Sequence, residues 1–219
     1  WVGQSREMGR GVYMLNGLRP TRISTKAIEN YLNADLMVNT RAWTINVAGH
    51  VLYVLTLKDS NLTFVYNTRE KMWSQWTSGL TETYFNGEFC CSDMSGNIYI
   101  QQDLGTVSKL STSTYQDVGV GFNFRIVTPK FDNQNNKHKF WFSVEAIADK
   151  YPVSTTLSIR HTNDDYNTWS NYRTADLSSA RPVIYQLGNG RRKAFDILYN
   201  VNQPLRIEAL EAEVTEGET

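Results

Sequence analysis

The segment His161–Thr174, HTNDDYNTWSNYRT, sets two adjacent carboxylates, Asp164 and Asp165, beside Tyr166 and Trp169. Paired carboxylates among aromatic rings are the groups that acid/base work on a sugar requires. The same residue types also build the corner of a β-hairpin, where Asp accepts hydrogen bonds from turn N–H groups and Thr hydroxyls close the turn. A second segment, LGNGRRKAF (Leu187–Phe195), reads as a hairpin turn followed by three cations, Arg191, Arg192 and Lys193. Three cations would grip phosphate weakly and in a salt-sensitive way. The alternatives are a solvated turn, or an ionic contact between subunits in which the acidic end Glu208–Glu218 is the partner.

Read from Thr162, the first segment runs Thr-x-Asp-x-Tyr-x-Thr-Trp. It resembles the Asp-box, Ser/Thr-x-Asp-x-Gly-x-Thr-Trp, a hairpin motif of sialidases and many unrelated β proteins. In that motif the residues are scaffold and the chemistry lies elsewhere. Thr162, Asp164 and Thr168 are therefore expected to close a turn that a buried Trp169 anchors. Asp165, Tyr166 or Trp169 would be the residues to touch a sugar. Tyr166 stands where the motif has glycine, and a positive φ is costly for Tyr, so a different turn type is expected.

Other candidates are weaker. Trp73 and Trp76 form either a sugar platform or the core of a strand. GQSREMGRG (Gly3–Gly11) lacks the strand–turn–helix context of a phosphate loop. The two cysteines, Cys90 and Cys91, are neighbours, so in a strand they point to opposite faces and make no bridge across a fold. The three histidines are scattered. No catalytic constellation, metal set or cofactor cradle can be assembled.

The chain has 219 residues, with 22 Lys plus Arg against 22 Asp plus Glu, so no net field selects nucleic acid or an anionic membrane. There is no apolar run near the ~20 residues that span a bilayer. The start at Trp1, in the middle of a pattern, suggests a fragment or a processed product.

Strand signals dominate the chain. GVYML, AWTINV, VLYVLTL, LTFVY and NIYIQ are rich in β-branched and aromatic residues and are separated by short turn signals. One helix is expected over KAIENYLNA, capped by Thr25. The stretches Val51–Trp76 and Phe89–Leu110 share a hairpin rhythm of the kind that builds propeller blades. Past VGVGF (Val118–Phe122), six or seven strands suit a small antiparallel sandwich. The expected architecture is all-β, with propeller-like blades over residues 1–118 and a β-sandwich over 119–219. The run from Leu205 to Val214 shifts its alternation after Ile207, as a bulge would make it.

Five stretches taken in order resemble the tail-hub, or nozzle, proteins of short-tailed phages, the packaged-DNA stabilisation proteins of the P22 type. They are Arg10–Leu32, His50–Trp76, Ile126–Ala148, Leu157–Arg173 and Gln186–Val214. The resemblance implies the carboxy-terminal part of a structural virion protein that catalyses no reaction and needs no cofactor. It implies self-association as a ring of six that continues the DNA channel below the portal and its adaptor. It further implies fibres or spikes and a needle as partners, transient double-stranded DNA in the lumen, no membrane insertion, and assembly in the host cytoplasm. The rival reading is a carbohydrate-binding or sialidase-like β-propeller, carried by the Asp-box-like turn.

Overall fold

A computed structural model describes residues 1–217. The chain is nearly all β, with one helix, and every sheet is antiparallel. It divides into two compact units, Trp1–Ser111 and Thr112–Thr219.

The first unit is a series of hairpin-built sheets. β1 (Val2–Ser5), β2 (Gly9–Asn16) and β3 (Arg19–Arg22) form the first of these. The β2–β3 turn takes glycine at its first position, Gly17, where φ is 63°. α1 (Lys26–Ala34) follows, with the Thr25 side chain accepting from the Ile28 N–H. Ile28 and Leu32, four apart, make its buried stripe.

β4 (Thr40–Val47), β5 (His50–Leu57), β6 (Leu62–Asn67) and β7 (Met72–Gln75) then run as a four-stranded meander. The β4–β5 turn holds both Ala48 (φ 50°) and Gly49 (φ 81°) in the left-handed region, as the tightest hairpin connection requires. A short hairpin, β8 (Thr77–Ser78) with β9 (Thr83–Tyr84), leads to a three-stranded meander of β10 (Gly87–Ser92), β11 (Ile98–Gln102) and β12 (Val107–Lys109).

The four-stranded meander is buried on both faces. Leu55, Leu57 and Phe64 pack on one side with Val12 of β2 and with Ile28 and Leu32 of the helix. Trp43, Ile45, Val54 and Val65 pack on the other with Ile100 of β11. Strict alternation along β4–β6 makes this possible, since successive side chains leave opposite faces. Such stacking of meanders face to face is blade packing. An ion cluster fastens the same pair of sheets, with Lys58 bonded to both Glu88 and Asp103. Tyr84 donates to Asp103 at 2.6 Å.

The second unit is a sandwich. Its first sheet has the order β13 (Phe124–Val127), β18 (Ala194–Tyr199), β15 (Thr156–Thr162), β16 (Arg173–Asp176). The second has the order β17 (Val183–Gly190), β14 (Lys139–Ala148), β19 (Ile207–Glu216). One core joins the two, with Trp141, Val144 and Ala146 of β14 and Ile184 and Leu187 of β17 facing Leu157, Ile159, Phe195 and Ile197. The register of β19 on β14 slips between Ala148↔Ile207 and Ile147↔Ala209, so the extra residue falls directly after Ile207. That bulge is the one the shifted alternation calls for.

One sequence expectation is overturned. Leu187–Gly190 is not a hairpin turn: β17 runs through it, paired to β14 as far as Lys139↔Gly190. Gln186 (φ 57°) and Gly188 (φ 77°) absorb a bulge there instead. Residues 191–193 then carry the chain from one sheet of the sandwich to the other, because β17 and β18 lie in different sheets.

Leu55→Ala, at a fully buried position of the two-faced meander, is expected to cost about 2–5 kcal/mol in urea unfolding. Leu18→Ala, at a position 98% exposed, is expected to stay within about 0.5 kcal/mol of the parent.

Candidate functional site

The ten-residue connection from β15 to β16 contains the paired carboxylates, and the structure sends them apart. Asp164 turns back on its own loop. It accepts from Thr162 Oγ1 at 2.7 Å, from the Thr168 N–H at 2.9 Å and from Thr168 Oγ1. The Thr168 and Thr162 donors hold its carboxyl down at about 2. Such a group stays ionised with its lone pairs occupied, whereas a general acid or base needs a pKa near the working pH. Asp165 faces outward to Lys130 at 3.0 Å and to Arg192.

Tyr166 does adopt the left-handed conformation that was expected to exclude it, with φ 71°, directly after Asp165 at φ 62°. Such a backbone costs of order 1–3 kcal/mol and persists only where neighbours fix it. Here the Tyr166 hydroxyl donates to the Thr128 carbonyl at 3.2 Å, Lys130 lies 5.5 Å from the ring centre, and Trp169 lies 6.0 Å away. Trp169 itself is half-buried, not sunk in the core. Its ring instead receives the Arg160 guanidinium at 4.9 Å, and the same guanidinium lies 4.5 Å from the centre of the Tyr172 ring.

Arg160 leads to a cluster that was missed from sequence. Asp196, on β18, is fully buried and accepts from Arg125 at 2.8 and 2.7 Å, from Arg160 at 2.8 Å and from Tyr172 at 2.9 Å. These partners outweigh burial and keep the carboxyl below its ordinary range. The available signal was a lone Asp inside the apolar run KAFDILY. The cluster has the form of an arginine grip on a carboxylate, but the carboxylate is the protein's own, and the result ties β13, β15 and β18 together.

The three cations of residues 191–193 diverge as well. Arg191 and Arg192 are exposed, Arg192 being paired to Asp165. Lys193 is fully buried, so it cannot join them in a surface grip on phosphate. Its ammonium donates to Asn163 Oδ1 at 2.6 Å and to the Leu187 carbonyl at 2.9 Å. Lys139, also fully buried, donates to the carbonyls of Asn135, Lys137 and Arg191 at 2.9, 2.9 and 3.1 Å. Arg173 reaches the Tyr185 carbonyl, Asn163 Nδ2 reaches that of Asn189 at 3.3 Å, and Trp141 Nε1 that of Gly190 at 3.3 Å. Five carbonyls between residues 185 and 191, along the edge strand β17 and its corner, are thus satisfied by side chains.

Burial, followed by the nearby Arg173, pulls the Lys193 ammonium down to about 8. Burial, with Lys193 and Arg173 close by, pushes His161 down to about 4, so its ring is neutral near pH 7.

Trp73 and Trp76 leave opposite faces of β7 and its continuation. Trp73 packs with the helix-side core and donates to the Ile23 carbonyl at 2.8 Å. Trp76 packs with the β11-side core, edge-on to Phe85. They share no platform. Cys90 is half-buried, with its thiol on the Thr44 carbonyl, and Cys91 is exposed. Among the described residues no group of three His, Cys, Asp or Glu is placed to hold a metal ion, and no helix is long and apolar enough to cross a membrane.

Residues 1–115 match the family model described as bacteriophage P22 Gp10, beta-propeller. The chain belongs to the P22 Gp10 family. It is a phage structural protein, and its family stabilises packaged DNA. The Gp10 match spans the whole of the first unit, where the sheets stack as blades. No curated protein matches the chain. In this chain the polar clusters described above fasten loops and strands to one another, and each carboxylate of the Asp164–Asp165 pair is occupied by a partner of its own chain.

Trp169→Ala is expected to lower the unfolding free energy by about 1–2 kcal/mol, the scale of a stacked cation contact rather than of a buried indole. A Lys193 folded-state pKa near 8, below the ordinary 10.5, means that the unfolded chain binds more protons between those values. Stability from this group therefore rises as pH climbs through that window. Urea midpoints taken at pH 8 and pH 10 should rise more for the parent than for Lys193→Met. A parallel pair of pH profiles would contradict the assignment.

Proposed function

We propose that this chain is a tail-hub, or nozzle, protein of a short-tailed phage. Copies of it form a ring, six in number, below the portal and its adaptor. The ring extends the DNA channel, retains packaged DNA, and carries fibres or spikes and a needle. Assembly takes place in the host cytoplasm before the ring joins the virion.

The observation that carries this reading is the family match across the stacked blades, residues 1–115. The electrostatics are compatible with it. A channel wall that attracted DNA through many phosphate contacts would hold it with a strong salt-dependent grip and resist ejection. This chain carries equal numbers of acidic and basic residues, and Arg192 and Lys130 are both bonded to Asp165. Rigid β modules with internally satisfied polar groups suit a mechanical part, which needs no reaction centre.

Heads packaged without this protein are expected to lose their DNA on standing, read as the fraction of DNA-filled particles. Supplying the purified chain should restore retention. Particles that keep their DNA equally well without it would remove the reading. Imaging of the purified chain should show six-fold rings.

A further inference from the structure

We propose that the outer face of the β17-β14-β19 sheet receives the β2–β3 hairpin tip of a second copy of this chain. Leu18 fills an aromatic groove on that face and Arg19 meets the carboxylates beside it. The inference rests on the ring reading above and names the contact that repeats around the ring.

The receiving face combines two features. Its aromatic side chains stand open: Phe140 is 49% exposed, Phe142 48% and Tyr185 63%. With Gln186 and Asn189 they line a shallow groove of about 720 Å³. Next to the groove the register sets Glu145 opposite Glu211 and Ser143 opposite Glu213. Trp141, Val144 and Ala146 face inward to the core, so alternation turns Glu145 outward, and residues paired across strands share a face. Arg181 neutralises Glu145. Glu211 and Glu213 have no cation at ion-pair distance among the described residues. The face is matched by an apolar group with a positive charge at its side.

The chain presents one such group. Three apolar side chains at hairpin tips are more than nine-tenths exposed: Leu18 at 98%, Met94 at 109% and Leu104 at 94%. Asp93 precedes Met94 and Asp103 precedes Leu104, while Arg19 follows Leu18. Against an acidic face the Met94 tip, with Asp93 beside it, is disfavoured; the Leu104 tip brings no free cation, since Lys58 is bonded to Asp103 and Glu88; and the Leu18 tip, with Arg19, is selected. Arg19 has no carboxylate at ion-pair distance among the described residues. Pro20 in β3 fixes its own φ beside the tip, and the tip is held between the paired strands β2 and β3, which reduces the ordering cost of docking. A large apolar anchor entering a pocket, with charge at the rim, is the common form of an interface hot spot. The tip and the face are different surfaces, so the contact is head-to-tail, the type that closes into rings.

Charge exchange in the purified full chain tests this, with mass read by light scattering and rings counted by imaging in solution and in phage particles. Arg19→Glu alone and Glu211→Arg alone should each raise the concentration for half-assembly by about tenfold. The double variant should restore assembly, because each contact again pairs opposite charges. Leu18→Ser should weaken assembly as the single variants do, with an unchanged melting curve, since the side chain touches nothing in the monomer. If rings form equally well in all variants, the contact lies elsewhere: the inference falls and the ring reading stands. If the parent forms no ring in solution or in particles, both fall.

Discussion

The sandwich depends on two ammonium groups that have no carboxylate. Lys139 and Lys193 are fully buried, and an isolated buried charge is among the most costly features a fold can carry. What makes them tolerable is the bulged strand β17 and the corner after it. With Gln186 and Gly188 in the left-handed region, carbonyls that a straight edge strand would offer to solvent are presented to side chains. The two lysines take up the dipoles of residues 187 and 191, so each cation satisfies backbone that would otherwise be orphaned. Lys139 also holds the carbonyls of Asn135 and Lys137, and Lys193 holds Asn163 Oδ1, so removing either cation would strand acceptors on more than one segment.

The first unit solves a different problem. Its four-stranded meander has apolar residues on both faces and would be insoluble alone. The sheet and helix before it cover one side and the next meander covers the other. Stability therefore comes from stacking order along the chain rather than from any one sheet, as expected for a propeller built of repeated blades. The Lys58 cluster with Glu88 and Asp103 adds a polar fastening at the margin of the same stack.

Much of this was legible in the sequence. β-branched and aromatic runs between turn signals located the strands, because a strand buried on both faces, such as VLYVLTL, writes a near-continuous apolar run. Thr25 and the Ile28–Leu32 spacing located the helix, and the slip after Ile207 located a bulge. The family resemblance drew on the same ordered segments. What local pattern could not give was where side chains go once strands are paired. LGNG reads as a turn because glycine and asparagine favour turns, but pairing with β14 kept it in a strand. RRK reads as one basic patch, but the strand-to-sheet crossing turned Lys193 inward. Asp196 sits in an apolar run with nothing nearby in sequence to announce Arg125 and Arg160. Tyr166 was expected to avoid a positive φ, and tertiary contacts overrode that local cost.

The clamped edge of β17 has a bearing on life at high density. Folded β proteins crowded together are at risk of strand-by-strand aggregation, in which one molecule's bare margin templates the next without limit. Side chains from Arg173, Asn163 and Lys193 occupy that margin here. Copies of the chain can thus be crowded together without this strand seeding an amyloid-like deposit, which leaves side-chain surfaces to decide how neighbours meet.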